Sequence, residues 1–127
     1  MLESIMILLF EALGTALLTC LYLATEGGAG MFIGFFILLI FSARISGSHY
    51  NPIVTLAFML RKDAGQFNKW LGILYMLFQL GGAYVGCLVS FYFFGTRDYY
   101  LTVTTHPLQC MFSEVLGAFI LVTMYLT

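Results

Sequence analysis

Apolar residues in this chain come as long runs rather than on an amphipathic helical or strand spacing. The first runs from Ile5 to Ala24, interrupted by Glu11. The second, Met31 to Ala43, is short but extends backward through Gly27-Gly28-Ala29-Gly30 and forward to Ile45. Trp70 to Phe94 is the longest, and Met111 to Thr127, with Glu114 near its start, is the fourth. A hydrocarbon core about 30 Å thick needs roughly 20 helical residues, so the pattern predicts four membrane helices.

Between the second and third runs lies a polar patch (Ser46, Gly47, Ser48, His49, Tyr50), then Asn51-Pro52, and a short apolar segment ending at Arg61-Lys62. From Asn51 to Leu60 a helix reaches only about 15 Å at 1.5 Å per residue, half a bilayer. Pro52 suits the first helical position, where its missing N–H is not needed, and Asn51 suits the N-cap before it. The segment is predicted to be a re-entrant half-helix with its N-terminus at mid-membrane.

Composition agrees. Residues are 61% hydrophobic and 9% charged, against about 25% charged in a soluble domain. There are too few charges to coat a water-facing surface. A net charge of −1 and the lack of a basic patch argue against a nucleic-acid partner. Cys20 and Cys87 sit inside apolar runs and Cys110 near a loop. No Cys-x-x-Cys or Cys/His spacing suits zinc, so neither metal nor cofactor is expected. The first run has Glu3 and no Lys or Arg before it, which favours a retained helix over a signal peptide. Arg44, Arg61, Lys62 and Lys69 lie between the second and third runs, whereas the loop after the third has only Arg97 and the one near Glu26 none. The positive-inside rule then places residues 44–69 and the N-terminus on the cytoplasmic side.

The chain also repeats itself. "FEALGTALLTCLYL" from Phe10 and "SEVLGAFILVTMYL" from Ser113 share Glu11/Glu114, Leu13/Leu116, Gly14/Gly117, Leu18/Leu121, Tyr22/Tyr125 and Leu23/Leu126 at one constant offset. With three crossing segments from one copy to the next, the copies enter from opposite sides. That is the inverted repeat recurrent in transport proteins. The first repeat covers about 1–95, and the second has only its opening helix, about 111–127.

"SGSHYNPIVT", Ser46 to Thr55, resembles the SGAHxNPAVT loop of the aquaporin and aquaglyceroporin family. Glu11 in "FEALGT", Gln79 in "QLGGA" and Glu114 in "SEVLGA" agree with it. The resemblance runs over this whole chain but only about the first half of the family's fold. It implies an all-α, right-handed membrane bundle, here one repeat of three helices plus the half-helix, and the first helix of the next. It implies that Asn51 offers its amide to a passing water, that carbonyls of Gly47, Ser48, His49 and Tyr50 line the pathway, and that Met31 lies near a constriction. Glu11, Glu114, Gln79 and Pro52 are expected to support the loops. Independently, a glutamate in hydrocarbon is costly without donors, and exposed loop carbonyls at membrane depth need water or buried partners.

Ile53 stands where the family pattern has alanine and crowds the place where a partner half-helix should meet; Ser48 also replaces an alanine. The second Asn-Pro loop and its following arginine have no counterpart here. The expected function is a passive channel for water or small neutral solutes such as glycerol, with this chain as the N-terminal half of a longer or assembled protein. The alternative is a truncated structural subunit of a larger membrane assembly. A homo-oligomer, by resemblance a tetramer, or other membrane subunits are the expected partners, along with the bilayer. An enzyme is not expected: His49 lacks a nucleophile with an orienting carboxylate, and no Gly-rich phosphate loop appears. His106, beside Pro107, is assigned no role.

Overall fold

The computed structural model describes residues 2–25, 28–61, 67–95 and 107–127. Five helices follow one another: α1 (Leu2–Ala24), α2 (Ala29–Ser42), α3 (Pro52–Leu60), α4 (Lys69–Phe94) and α5 (Pro107–Leu126). The chain is all-α, and α1, α4 and α5 are long and apolar enough to cross a bilayer. At 14 residues α2 is shorter. Its turn-type hydrogen bonds continue past Ser42, however: Ala43 N–H donates to Leu39, Ser46 to Ser42, and Gly47 to Ala43.

The helix starts have local causes. Asn51 caps α3, its side-chain oxygen accepting from Ile53 N–H at 2.9 Å, with Pro52 in the first turn. Asn68 caps α4 in the same manner, accepting from Trp70 N–H at 3.0 Å. Pro107 opens α5 four residues before the apolar run does, because proline is tolerated where helical N–H groups have no partner anyway. Glu26, Lys62, Arg97 and His106 lie outside the described residues, so the charge comparison across the loops rests partly on positions without a described structure.

Helix α1 packs against α4 along its length and touches α2 far less, while α3 packs on both α4 and α5. Two glycines make the α1–α4 approach possible. A Cβ at Gly82 would collide with the Ala12 carbonyl, and one at Gly86 with that of Ala16. This is small-residue packing between membrane helices.

Burial is inverted relative to a water-soluble protein. The buried side chains are mainly polar: Glu11, Thr15, Ser42, Ser48, Thr55 and Gln79 are among them. Large apolar side chains such as Phe32, Phe41, Leu77, Tyr92 and Phe119 face outward. In lipid this is the stable arrangement, since polar groups must find partners inside the protein.

Candidate functional site

The polar interior gathers around the loop at 46–51, where three residues take left-handed backbone. Gly47 has φ 84°, Ser48 53° and Tyr50 46°. Left-handed backbone costs a non-glycine residue roughly 1–2 kcal/mol, so Ser48 and Tyr50 have to be held there by surrounding bonds.

Glu11 does most of the holding. Its two carboxyl oxygens accept from His49 N–H at 3.0 Å, Tyr50 N–H at 2.8 Å and Gln79 Nε2 at 2.7 Å. Gln79 Nε2 also reaches Thr55 Oγ1 at 3.0 Å, tying the first turn of α3 to α4. A second set of bonds comes from hydroxyls. Ser42 Oγ bonds Ser48 Oγ at 2.6 Å and also the Tyr50 hydroxyl. Tyr75 donates to the Ser46 carbonyl at 2.8 Å, and Tyr125 on α5 donates to the Ser48 carbonyl at 2.7 Å. Four helices thus converge on six loop residues.

His49 is 5% exposed. Its ring stacks on Phe58 at 4.6 Å between centroids, with Tyr75 at 5.4 Å and Phe67 at 5.8 Å. Its Nδ1 lies 3.1 Å from Thr55 Oγ1. The Tyr50 ring occupies the space above Gly14, where any Cβ would strike it.

Two kinds of polar group in the loop keep free capacity. Asn51 uses its side-chain oxygen as the cap, so its NH₂ has no acceptor among the described residues. The carbonyls of Gly47, His49 and Tyr50 likewise accept no hydrogen bond among the described residues. Asn51 borders an open cavity of about 350 Å³, walled by Ile53 from α3 and by Glu114, Gly117 and Leu121 from α5.

The family model for the major intrinsic proteins matches residues 4–127. The chain belongs to the major intrinsic protein family. Major intrinsic proteins are channels for water or small solutes rather than enzymes, and this one is an integral, multi-pass membrane protein. Comparison with curated proteins and with solved structures returns no match.

Of the residues singled out in this major intrinsic protein's sequence, Glu11, Gln79, Gly47, Ser48, His49, Tyr50, Asn51 and Pro52 come together in one cluster. Glu114 stands apart: it is exposed, across the cavity from Asn51, and no described loop lies against it. Met31 is in the first turn of α2, the end remote from the loop. The sequence reading missed Ser42, Tyr75 and Tyr125 as loop partners. A signal for Tyr75 existed, since the buried positions of α4 are Gly72, Tyr75, Gln79, Gly82, Gly86 and Ser90. They mark one face at three- and four-residue spacing within an otherwise apolar run.

Proposed function

We propose that this chain supplies half of a passive transmembrane pathway for water or small neutral solutes such as glycerol, with Asn51-Pro52 at its centre. The observation that carries the reading is the loop's remaining hydrogen-bonding capacity. The Asn51 NH₂ and the carbonyls of Gly47, His49 and Tyr50 lack protein partners among the described residues. Unpaired backbone at membrane depth is stable where it lines water, and a file of water offers both donors and acceptors.

The Asn51–Leu60 segment acts in this reading as a re-entrant half-helix. Its N-terminus carries roughly half a positive charge, which opposes protons and cations and leaves neutral molecules free to pass. Residues 1–95 form the first of two inverted repeats and 111–127 open the second, with Glu11 and Glu114 at equivalent positions. The facing half-helix is supplied by a further polypeptide segment seated near Glu114 and Ile53. Residues 44–69 and the N-terminus lie on the cytoplasmic side, Met31 near the outer constriction, and copies assemble as an oligomer, a tetramer by resemblance. Ile53, about half exposed on the cavity wall, narrows the meeting point and biases the pathway toward small solutes.

Osmotic shrinkage of proteoliposomes, followed by stopped-flow light scattering, tests this. Flux of water or glycerol above protein-free vesicles is expected, reduced at least severalfold by Asn51→Leu. Flux equal to that of empty vesicles would sink the channel reading and favour a structural subunit.

A further inference from the structure

Of the loop carbonyls from Gly47 to Tyr50, one differs from the rest. Those of Gly47, His49 and Tyr50 accept nothing among the described residues, whereas the Ser48 carbonyl accepts from the Tyr125 hydroxyl at 2.7 Å. The exception lies inside the series, and Ser48 is fully buried. Tyr125 stands there because of its register on α5. Glu114, Gly117, Ala118 and Leu121 line the cavity that Asn51 borders, at three- and four-residue steps that mark one helix face. The next position on that face is Tyr125, four residues past Leu121 and so about 6 Å further along. The Glu114 end of this stripe is where the facing half-helix seats. The Tyr125 end lies against the carbonyls.

Putting a phenol over a carbonyl keeps polarity and takes width. The Tyr125 hydroxyl uses its proton on Ser48, and its oxygen can still accept. Nothing among the described residues donates to that oxygen. The series of free acceptors then runs from the Gly47 carbonyl to Tyr125 Oη, and on to the carbonyls of His49 and Tyr50. A water molecule finds an acceptor at each step. A polyol finds the same acceptors but has to bring its carbon skeleton past an aromatic ring that is tethered by its hydroxyl. Pore diameter and the hydrogen-bonding groups along it together set selectivity of this kind.

We propose that Tyr125 is a specificity-determining residue: it stands in for the Ser48 carbonyl on the file, admits water and rejects glycerol. The inference rests on the channel reading and names the solute within it. Removing the ring opens the file and returns the Ser48 carbonyl to water. Removing only the hydroxyl keeps the file narrow and leaves an apolar step in the acceptor series.

Stopped-flow light scattering of proteoliposomes carrying the full-length chain, under sucrose and then glycerol gradients, reads the two permeabilities separately. The native chain is expected to pass water faster than protein-free vesicles and glycerol no faster than they do. Tyr125→Ala is expected to raise glycerol flux severalfold while water flux persists. Tyr125→Leu, which keeps an apolar side chain on α5 without the ring, carries the same expectation should the alanine variant fail to fold. Tyr125→Phe is expected to keep glycerol out and to lower water flux about fivefold, the rate equivalent of one neutral hydrogen bond. A Tyr125 that only clamps α5 to the loop would lower water flux in the ring-less variants and leave glycerol at the level of empty vesicles; that result overturns the proposal. Glycerol flux through the native chain, or an unchanged water flux in Tyr125→Phe, overturns it too. Absence of water flux from the native chain is a different failure, that of the channel reading itself, and takes the role of Tyr125 with it.

Discussion

Glu11 is fully buried and accepts from three donors in two separate segments: His49 N–H and Tyr50 N–H of the loop, and Gln79 Nε2 of α4. Removing it strands all three, at about 1–3 kcal/mol for each donor left unsatisfied. Glu11→Ala is therefore expected to lower the thermal unfolding midpoint in detergent sharply, with faster amide exchange at residues 49 and 50. Glu11→Gln keeps one acceptor and should fall between that variant and the native chain. Gly14 offers a different kind of test, because its requirement is steric. Gly14→Ala drives a methyl into the Tyr50 ring, and overpacking of this kind costs about 1–3 kcal/mol. The penalty should shrink when Tyr50 is also replaced by Val, a non-additivity that a double-mutant cycle measures. At this scale the sequence was only partly legible. Glu11, Gln79 and Asn51 announce themselves as polar residues within or beside apolar runs. Ser42, Tyr75 and Tyr125 do not, because a hydroxyl can satisfy itself on its own helix or sit at a lipid interface, and its partner here lies in a distant segment.

Helices α1 and α4 are joined by backbone approach rather than by side-chain interdigitation. Gly82 and Gly86 lie against carbonyls of α1, which cannot rotate away. Gly82→Val is expected to separate the helices and destabilise the fold by several kcal/mol, well beyond a side-chain clash that can repack. Gly81→Val serves as the control, since a Cβ there meets nothing within 4 Å; it should leave the unfolding midpoint within a degree or two. For α3, the Asn51 cap stabilises a helix of only nine residues, and Asn51→Ala is expected to cost about 1 kcal/mol in unfolding measurements. The element boundaries in the sequence reading were set by where apolar residues start. That worked for α3, whose proline marks it, and nearly for α4. It missed the opening of α5, because Pro107, Gln109 and Cys110 do not look like a membrane helix although the backbone already is one.

Over the whole molecule, composition alone foretold a membrane protein, and the exposed apolar exterior around a polar centre is what that composition requires. The arrangement of the centre was less accessible. Pairs such as Glu11 with Gln79 join residues far apart in the chain, and no local period encodes them. Stability should also be uneven. None of the α5 residues is fully buried, whereas α1 and α4 hold most of the buried set. Hydrogen exchange in detergent is expected to be slowest in the middle of α1 and α4 and fastest in α5. Tyr125→Phe, which cuts the α5 hydroxyl from the Ser48 carbonyl, should raise α5 exchange further and leave α1 unchanged.

The convergence on the loop also sets a timetable for synthesis. Glu11 emerges from the ribosome well before His49 and Tyr50, so their two acceptors are already waiting when the loop appears. Gln79 and Tyr75 arrive only with α4, and the hydroxyl of Tyr125 later still. A nascent chain that has just finished α3 thus holds its loop by Glu11 and Ser42, with the Ser46 and Ser48 carbonyls not yet matched. Each later helix then locks the loop further, and a pause in translation before α4 leaves the newborn protein at its most vulnerable.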